Sequence, residues 1–318
     1  MLMKISPDLT KQEIWAEGNE LVTILGKNRN EKGERIHSRP YSEKQLVAEI
    51  MNPVILTDIN TIVKLEPTKR DTVFALYQSY PRTVEYDGVS VTWDPRIHID
   101  VWGPSMDTIV VANAMRTAKD VLTHDVHTAV EIGCGSGFLG KYVLYKCNNL
   151  RKLHLVDINS YAVKCAQDNV ERRQEDQIVS FSKGDGRKLA GEKYDIAICN
   201  APYVIRPKSI CDNPFEGIDL LYDMIVSGKN YLNDGGRLIL TTSSLCERIK
   251  NKAIKEAREI GSLASVDVIG TKRMPLKVNP VLNDPEWMTY LYENGLKRKL
   301  ENGYEHWHVV SVLKLTYH

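Results

Sequence analysis

A glycine-rich stretch in the middle of the chain places the strictest limit on how the chain can fold. The segment AVEIGCGSGFLG, residues 129–140, begins as an apolar, strand-like run and continues into glycines at alternate positions. A strand that joins a helix through such glycines brings the backbone close to a ligand, and the helix N-terminus favours a polar or anionic group. We therefore predict a ligand-binding loop here. A tight turn that binds nothing is the alternative for a glycine run taken alone.

Strand-like and helical runs alternate around this loop and predict the fold class. Such alternation is typical of a parallel sheet with helices on both faces. We predict an α/β fold, a doubly wound, Rossmann-like sheet of seven mainly parallel strands. The predicted strands are 127–132, 152–156, 178–182, 194–199, 236–242, 263–271 and 306–316, and the predicted helices are 138–147, 159–171, 217–231, 247–259 and 284–293.

The first hundred residues lack this rhythm and predict an α+β region. Asp87-Gly88 separates two alternating runs, 83–86 and 89–93, which favours a hairpin. The polar segment 27–40 carries five Lys or Arg against two Glu, and we interpret it as a solvated linker, with a basic substrate-contacting arm as the alternative. We divide the chain into a substrate-recognition region, 1–101, and a catalytic domain, 102–318. Further predicted elements are helices at 9–26, 42–50 and 69–79 and strands at 61–65 and 96–102.

Composition excludes several classes of protein. The formal net charge of +1 neither excludes nor predicts a nucleic-acid partner. The six cysteines include no C-x-x-C pair, so neither a zinc site nor a disulfide framework is indicated. His306 and His308 are assigned to an edge strand rather than to a metal. No apolar run approaches the roughly 18 residues that a membrane span requires. We expect a cytoplasmic protein without a membrane or metal partner.

The spacing of the glycines selects the class of cofactor. Dinucleotide-binding loops use Gly-x-Gly-x-x-Gly. Here the order is Glu131-x-Gly133-x-Gly135-x-Gly137, and Phe138 stands where the third glycine would be. This acidic-first pattern resembles motif I of class I methyltransferases, whose loop lies beside the methionine part of S-adenosylmethionine. The resemblance implies S-adenosyl-L-methionine as cofactor and S-adenosyl-L-homocysteine as product.

Acidic residues that follow the next two predicted strands extend this interpretation. Asp157 lies 20 residues beyond the last of these glycines, where a carboxylate can accept hydrogen bonds from ribose hydroxyls. A helix cap is the alternative, since a predicted helix follows directly. In the methyltransferases that the sequence resembles, the position of Asp185 contacts the adenine amine, although Gly-Asp-Gly is also an ordinary turn. The same resemblance assigns Ile158 and Gly186 to cofactor binding.

The fourth predicted strand ends in the tetrapeptide Asn200-Ala201-Pro202-Tyr203. Ligands bind beyond the carboxyl ends of the strands of an open parallel sheet, so we expect Asn200 near the reacting atoms. The tetrapeptide resembles the Asn-Pro-Pro-Tyr motif of amino-methyltransferases, a group that includes the HemK/PrmC glutamine methyltransferases and the adenine-amine methyltransferases. Ala201 replaces the first proline. The resemblance implies that the Asn200 side-chain oxygen and the Ala201 carbonyl accept from a target NH₂, and that Tyr203 stacks on the planar target.

Two flanking segments complete the resemblance, which covers residues 101–242. Residues 101–108 resemble the Pro-x-x-Asp/Glu-Thr segment that HemK-like enzymes place over the cofactor, which adds Thr108 to the cofactor site. Residues 216–220 with 231–240 resemble the segment after the catalytic loop. We predict an S-adenosylmethionine-dependent N-methyltransferase that acts on a glutamine or asparagine side-chain amide in a protein or peptide. The alternatives are a base amine in RNA or DNA, a small-molecule amine, and a non-catalytic adenosine-binding scaffold.

Overall fold

A computed structural model of the chain describes residues 2–5, 82–94, 97–99, 101–189, 191–207, 218–276, 279–282, 284–301 and 304–318. The elements predicted at 9–26, 42–50, 61–65 and 69–79, and the polar segment 27–40, lie outside the described residues. The strands are β1 (Leu2–Ile5), β2 (Arg82–Tyr86), β3 (Val89–Trp93), β4 (Thr128–Ile132), β5 (Lys152–Asp157), β6 (Ile178–Lys183), β7 (Tyr194–Cys199), β8 (Leu232–Ser243), β9 (Leu263–Pro275), β10 (Lys297–Glu301) and β11 (Tyr304–Tyr317). The helices are α1 (Met106–Thr117), α2 (Phe138–Lys146), α3 (Ser160–Asn169), α4 (Asp219–Val226), α5 (Gly228–Tyr231), α6 (Glu247–Glu259), α7 (Asn279–Leu282) and α8 (Pro285–Glu293).

The large sheet has the order β6-β5-β4-β7-β8-β11, and β9 pairs with the other edge of β11. The five strands from β6 to β8 are parallel, and β11 is antiparallel to both of its long neighbours. This arrangement confirms the predicted doubly wound, mainly parallel sheet. The seven predicted strands all belong to it, and β10 is an eighth strand that the sequence pattern did not indicate. The last strand is not an edge strand, because β8 and β9 flank it.

Alternation along the central strands builds a core on each face of the sheet. Ala129 and Ile196 face the core that contains α1, α2 and α3, whereas Val130 and Ala197 face the core that contains α4 and α6. Side chains of a strand point alternately to its two faces, so an almost continuous apolar run is what a doubly covered strand requires. The two cores fix the carboxyl ends of the parallel strands at one edge of the sheet.

Two predicted elements differ in the structure. Residues 97–99, predicted as part of a strand at 96–102, form a turn, because Ile97 N and His98 N both donate to Asp94 O (3.0 and 2.7 Å) and Asp94 N donates to His98 Nδ1 (3.1 Å). The helix predicted at 217–231 is interrupted at Ser227, between α4 and α5. Next to this break Gly228 packs so tightly on Tyr317 that a Cβ would lie 2.2 Å from the ring.

The predicted hairpin forms and packs on the core that contains α2. Asp87 and Gly88 form its turn with positive φ angles of 52° and 74°. The rings of Tyr86 and Trp93 are fully buried in the core that contains α2. The Lys141 amine donates to Ser90 O at 2.8 Å, which ties α2 to the outer strand of the hairpin. β1 pairs in parallel with β2. The division of the chain at residue 101 stays a prediction.

Across the described residues, no helix is both long and apolar enough to cross a bilayer.

Candidate active site

The glycine-rich loop between β4 and α2 is held by the end of the neighbouring strand β5. Gly133 N and Cys134 N both donate to Val156 O, at 2.8 and 3.1 Å. Gly133, Gly135 and Gly137 have φ angles of 70°, 53° and 80°. These left-handed conformations are unfavourable for residues with a Cβ, so the alternate glycines are required by the path of the loop itself. The loop therefore arrives at the carboxyl edge of the sheet with Gly133 exposed and Gly135 half-buried.

Glu131, the acidic residue of the loop pattern, is a buried support. Its side chain is 3% exposed, and its Oε2 accepts from Gly140 N in the first turn of α2 at 2.8 Å. Burial, followed by the negative charge of Asp157, raises the pKa of Glu131 to about 8. A Cβ at position 140 would lie 2.7 Å from that oxygen, so Gly140 is what allows the contact. Glu131 thus fixes the start of α2 relative to β4.

Asp157 ends β5 and joins the loop to the next helix. Its Oδ2 accepts from Gly135 N and its Oδ1 from Asn159 N, both at 2.9 Å. An ionised carboxylate has about four acceptor positions, so these two bonds orient it and leave capacity for two hydroxyl donors. The neighbouring Ile158 is 71% exposed, which presents an apolar surface beside the carboxylate. A nucleoside, with a ribose diol next to a flat base, fits this pair of residues.

Asp185 and Gly186 follow β6 at the same edge of the sheet. The Arg187 guanidinium binds the Asp185 carboxylate (Nη2–Oδ2 2.8 Å) and holds its pKa below the usual range. Arg187 also bridges to Asp219 at 2.5 Å, so Asp185 is oriented by an ion-pair network rather than left free. Gly186 is buried against Ile132, and a Cβ there would lie 2.2 Å from the Ile132 Cγ2. This loop therefore lies directly against the end of β4.

Asn200 has one satisfied and one unsatisfied end. Its Nδ2 donates to Asp107 Oδ2 and Thr108 Oγ1, at 3.2 and 3.3 Å. Its Oδ1 is buried and has no hydrogen-bond partner within the described part of the chain. A carboxylate only accepts hydrogen bonds, so the NH₂ group must face Asp107, and this contact fixes the amide orientation. A buried acceptor without a donor costs free energy, about 1–3 kcal/mol, so this oxygen is free to accept a hydrogen bond.

Asp107 is the residue that sequence reasoning missed. It is 8% exposed at the start of α1, and its Oδ1 accepts from Thr108 N at 2.9 Å and from the Ser105 hydroxyl. Its Oδ2 accepts from the hydroxyl of Tyr203 at 3.1 Å in addition to Asn200. It lies within the Pro-x-x-Asp-Thr segment, and this motif could have identified it as a site residue. Only Thr108 of this segment was assigned to the site from the sequence.

Tyr203 shares the Asp107 carboxylate with Asn200, and its ring packs near His308. Burial, followed by the charge of Asp107, raises the pKa of Tyr203 well above its usual value. The two ring centroids are 5.7 Å apart, and His308 Nδ1 lies 2.8 Å from Ser243 Oγ. Burial lowers the pKa of His308 to about 4, so its ring is neutral near pH 7. In the tetrapeptide, Ala201 is buried and Pro202 is exposed.

The two histidines of the last strand have separate surroundings. His306 Nδ1 lies 2.7 Å from the hydroxyl of Tyr292, whereas His308 is buried behind Tyr203. Among the described residues, no group of three potential metal-ligating side chains is present.

Two cysteines neighbour these site residues in the sequence. Cys134 belongs to the glycine-rich loop, and Cys199 directly precedes Asn200. Both thiols are buried, and burial raises the pKa of each far above its usual value.

Residues 110–261 match the family model described as the methyltransferase small domain. This match spans just under half of the chain, and together with the glycine-rich loop it shows that the chain is an S-adenosylmethionine-dependent methyltransferase. This match confirms the resemblance drawn from the glycine-rich loop and the tetrapeptide, and with it the cofactor class. The individual roles of the site residues stay predictions.

Curated relatives of this methyltransferase act on proteins and on RNA. A Methanocaldococcus jannaschii protein, provisionally named a protein N5-glutamine methyltransferase, is 26% identical over 209 residues, which are 63% of this chain and 97% of that protein. The ribosomal protein uL3 glutamine methyltransferase of Francisella tularensis is 28% identical over 36% of this chain and 41% of its own length. The ribosomal RNA small subunit methyltransferase C of Buchnera aphidicola is 30% identical over 39% of this chain and 34% of its own length. The chain thus spans less than half of the latter two.

Among solved structures, Pyrococcus horikoshii TYW2 in complex with MeSAdo is similar to 96% of this chain and 99% of its own, with 15% identity and a TM-score of 0.47.

Replacing Asp157 tests the ribose assignment. We expect Asp157→Ala to raise the Kd for S-adenosylmethionine by about 10- to 100-fold, because it removes a charged acceptor worth about 1.5–3 kcal/mol. Isothermal titration calorimetry gives the Kd directly. The matched control is Asp176→Ala, since that carboxylate forms an exposed ion pair with Arg151. Wild-type affinity in Asp157→Ala would contradict the assignment.

The buried His308 predicts a pH-dependent stability. Its pKa is about 4 in the folded state and near 6.5 when exposed, so the unfolded chain binds the extra proton first. Stability is complete above about pH 6.5 and falls by about 3 kcal/mol as the pH drops to 4. Urea unfolding at steps between these pH values measures this loss. Carboxylates also titrate there, so the difference from His308→Gln isolates the histidine. Parallel curves for the two proteins would show that His308 does not contribute.

Proposed function

We propose that this methyltransferase methylates the side-chain amide nitrogen of glutamine or asparagine in a protein or peptide. The observation that carries the proposal is the buried Asn200 Oδ1, an acceptor without a donor among the described residues, at the carboxyl edge of the sheet. A planar NH₂ group supplies the N–H bond that this oxygen lacks. A buried acceptor favours a neutral amide or aryl amine, which has N–H bonds to donate, over a carboxylate, which has none.

The chemistry of an amide requires orientation more than a base. The nitrogen lone pair of an amide is delocalised, so it must be turned toward the electrophile. Asn200 Oδ1 accepts one N–H bond, and we assign the second to the carbonyl of Ala201, which survives the exchange of proline for alanine in the tetrapeptide. S-adenosylmethionine, when bound, supplies an electrophilic methyl group on a sulfonium. Positioning of this kind accounts for much of the rate gain in an in-line displacement.

Asp107 adds the electrostatic part. It contacts no cation in its described hydrogen bonds, which come from Ser105, Thr108, Asn200 and Tyr203. The Asp107 carboxylate contacts the Asn200 amide, which in turn holds the reacting nitrogen. A buried negative charge at this distance stabilises the positive charge that develops on that nitrogen as the N–C bond forms. His308 does not offset the negative charge of Asp107, because its ring is neutral near pH 7.

The relatives support an amide acceptor. Two of them carry glutamine methyltransferase names, and the longer match covers nearly the whole of its relative. A base amine in RNA is the second candidate, since another relative is named as a ribosomal RNA methyltransferase and the same acceptor pair would hold an exocyclic amine.

Replacing Asn200 separates catalysis from cofactor binding. We expect Asn200→Ala to lower kcat at least 100-fold, because it removes the acceptor that orients the nucleophile, while the Kd for S-adenosylmethionine changes by less than about threefold. Methyl transfer from labelled cofactor and calorimetry give the two values. The control Asn251→Ala lies on the exposed face of α6. Wild-type turnover in Asn200→Ala would remove the amide argument.

The class of acceptor is tested by labelling. The protein is incubated with methyl-labelled S-adenosylmethionine and an extract of its host, and the product is divided between protease and nuclease. Because the proposed acceptor is a side-chain amide, we expect label that protease releases as an N-methylated amino acid. Label released only by nuclease would overturn the amide proposal in favour of a base amine. Incubation with Asn200→Ala provides the background.

A further inference from the structure

The segment between β9 and β11 packs on the catalytic loop. It contains α7, α8 and β10, and its apolar residues Leu276, Met288 and Leu291 share one core with Ile205, which follows the catalytic tetrapeptide by two residues. Tyr292 in α8 is hydrogen-bonded to His306 of β11 at 2.7 Å, which fastens the segment to the sheet. The wall beside the catalytic loop is therefore built by residues from the end of the chain.

Trp287 is the direct link between this segment and the loop. Asp284 caps α8 by accepting from Trp287 N at 3.0 Å, so the residue starts from a fixed backbone position. The indole Nε1 donates to Ile205 O at 2.7 Å, which fixes the plane of the ring. A side chain fixed at both its backbone and its polar tip is a rigid platform.

Arg206 is held over this platform. Its guanidinium carbon lies 5.6 Å from the centre of the Trp287 ring. Arg206 forms no ion pair or hydrogen bond within the described part of the chain, although it is half-buried. A guanidinium over an aromatic face keeps the N–H donors of its edge, and this fork matches the two oxygens of a carboxylate.

We propose that Arg206, positioned by Trp287, binds a carboxylate of the substrate and selects peptides with an acidic residue near the target amide. This inference rests on the proposed amide acceptor. Arg206 is six positions beyond Asn200, and the chain between them spans at most about 20 Å. An extended peptide advances about 3.3 Å per residue, so the acidic residue lies within about six positions of the target.

The test uses synthetic peptides with blocked termini, so that no terminal carboxylate competes. Each 13-residue peptide has one central glutamine among alanine and serine, and a single glutamate replaces serine at one position per peptide. Binding is measured by calorimetry with S-adenosylhomocysteine present, and methylation with labelled cofactor. We expect the best glutamate peptide to bind about tenfold more tightly than its serine counterpart, as for a charge-assisted pair at a partly exposed site.

Variants assign this preference to the guanidinium. Arg206→Gln should bring the ratio of the two affinities close to one, and Arg206→Lys should keep only part of it, because lysine lacks the fork. Trp287→Leu should also reduce the ratio, although the charge remains. The control Arg258→Gln on α6 should leave the ratio unchanged, since this residue lies far along the chain on an exposed helix end. Thermal unfolding checks that each variant is folded.

The outcomes separate the two proposals. Equal binding of glutamate and serine peptides overturns the role of Arg206, whether or not the peptides are methylated. Binding that depends on glutamate and Arg206 without any methylation supports the role of Arg206 and counts against amide methylation. Methylation of host RNA that falls in Arg206→Gln, with no peptide binding, would overturn the carboxylate assignment in favour of a phosphate.

Discussion

Two backbone donors of the glycine-rich loop share one acceptor, the carbonyl of Val156 at the end of β5. Because the same strand continues into Asp157, which accepts from Gly135 N, one strand end fixes both the path of the loop and the carboxylate beside it. The direction of α2 follows from this path, and buried Glu131 locks it by accepting from the first turn of that helix. This side of the site thus depends on the register of two neighbouring strands.

The opposite side of the site depends on one carboxylate. Asp107 brings the start of α1 and the loop after β7 together, although Asn200 is 93 residues away from it along the chain. Its Oδ1 accepts a hydrogen bond from the first turn of α1, and its Oδ2 accepts hydrogen bonds from Asn200 and Tyr203. The contact between these two elements, and not the tetrapeptide alone, therefore sets the orientation of the Asn200 side-chain amide.

Local sequence patterns predicted much of the fold and the glycine-rich loop. Alternate glycines and apolar runs are local requirements of backbone and burial, so they predicted the loop from Gly133 to Gly137 and the seven strands of the sheet. Contacts between distant segments left weaker signals. Nothing near Asp107 in the sequence indicated that it contacts Asn200 and Tyr203. The burial of His308 beside Tyr203 depends on the position of β11 between β8 and β9. The turn at 97–99 was not predicted, because the residues there alternate as in a strand. In the structure, hydrogen bonds from Ile97 N and His98 N to Asp94 O form a turn instead.

The buried thiols of Cys134 and Cys199 have a consequence for self-modification. A sulfonium methyl group is a soft electrophile, and a thiolate beside it would be a far better nucleophile than any amide. Only the thiolate form has this reactivity, and burial disfavours that form at both positions by raising their pKa values. Burial therefore keeps both thiols, one in the glycine-rich loop and one directly before Asn200, in their unreactive protonated form.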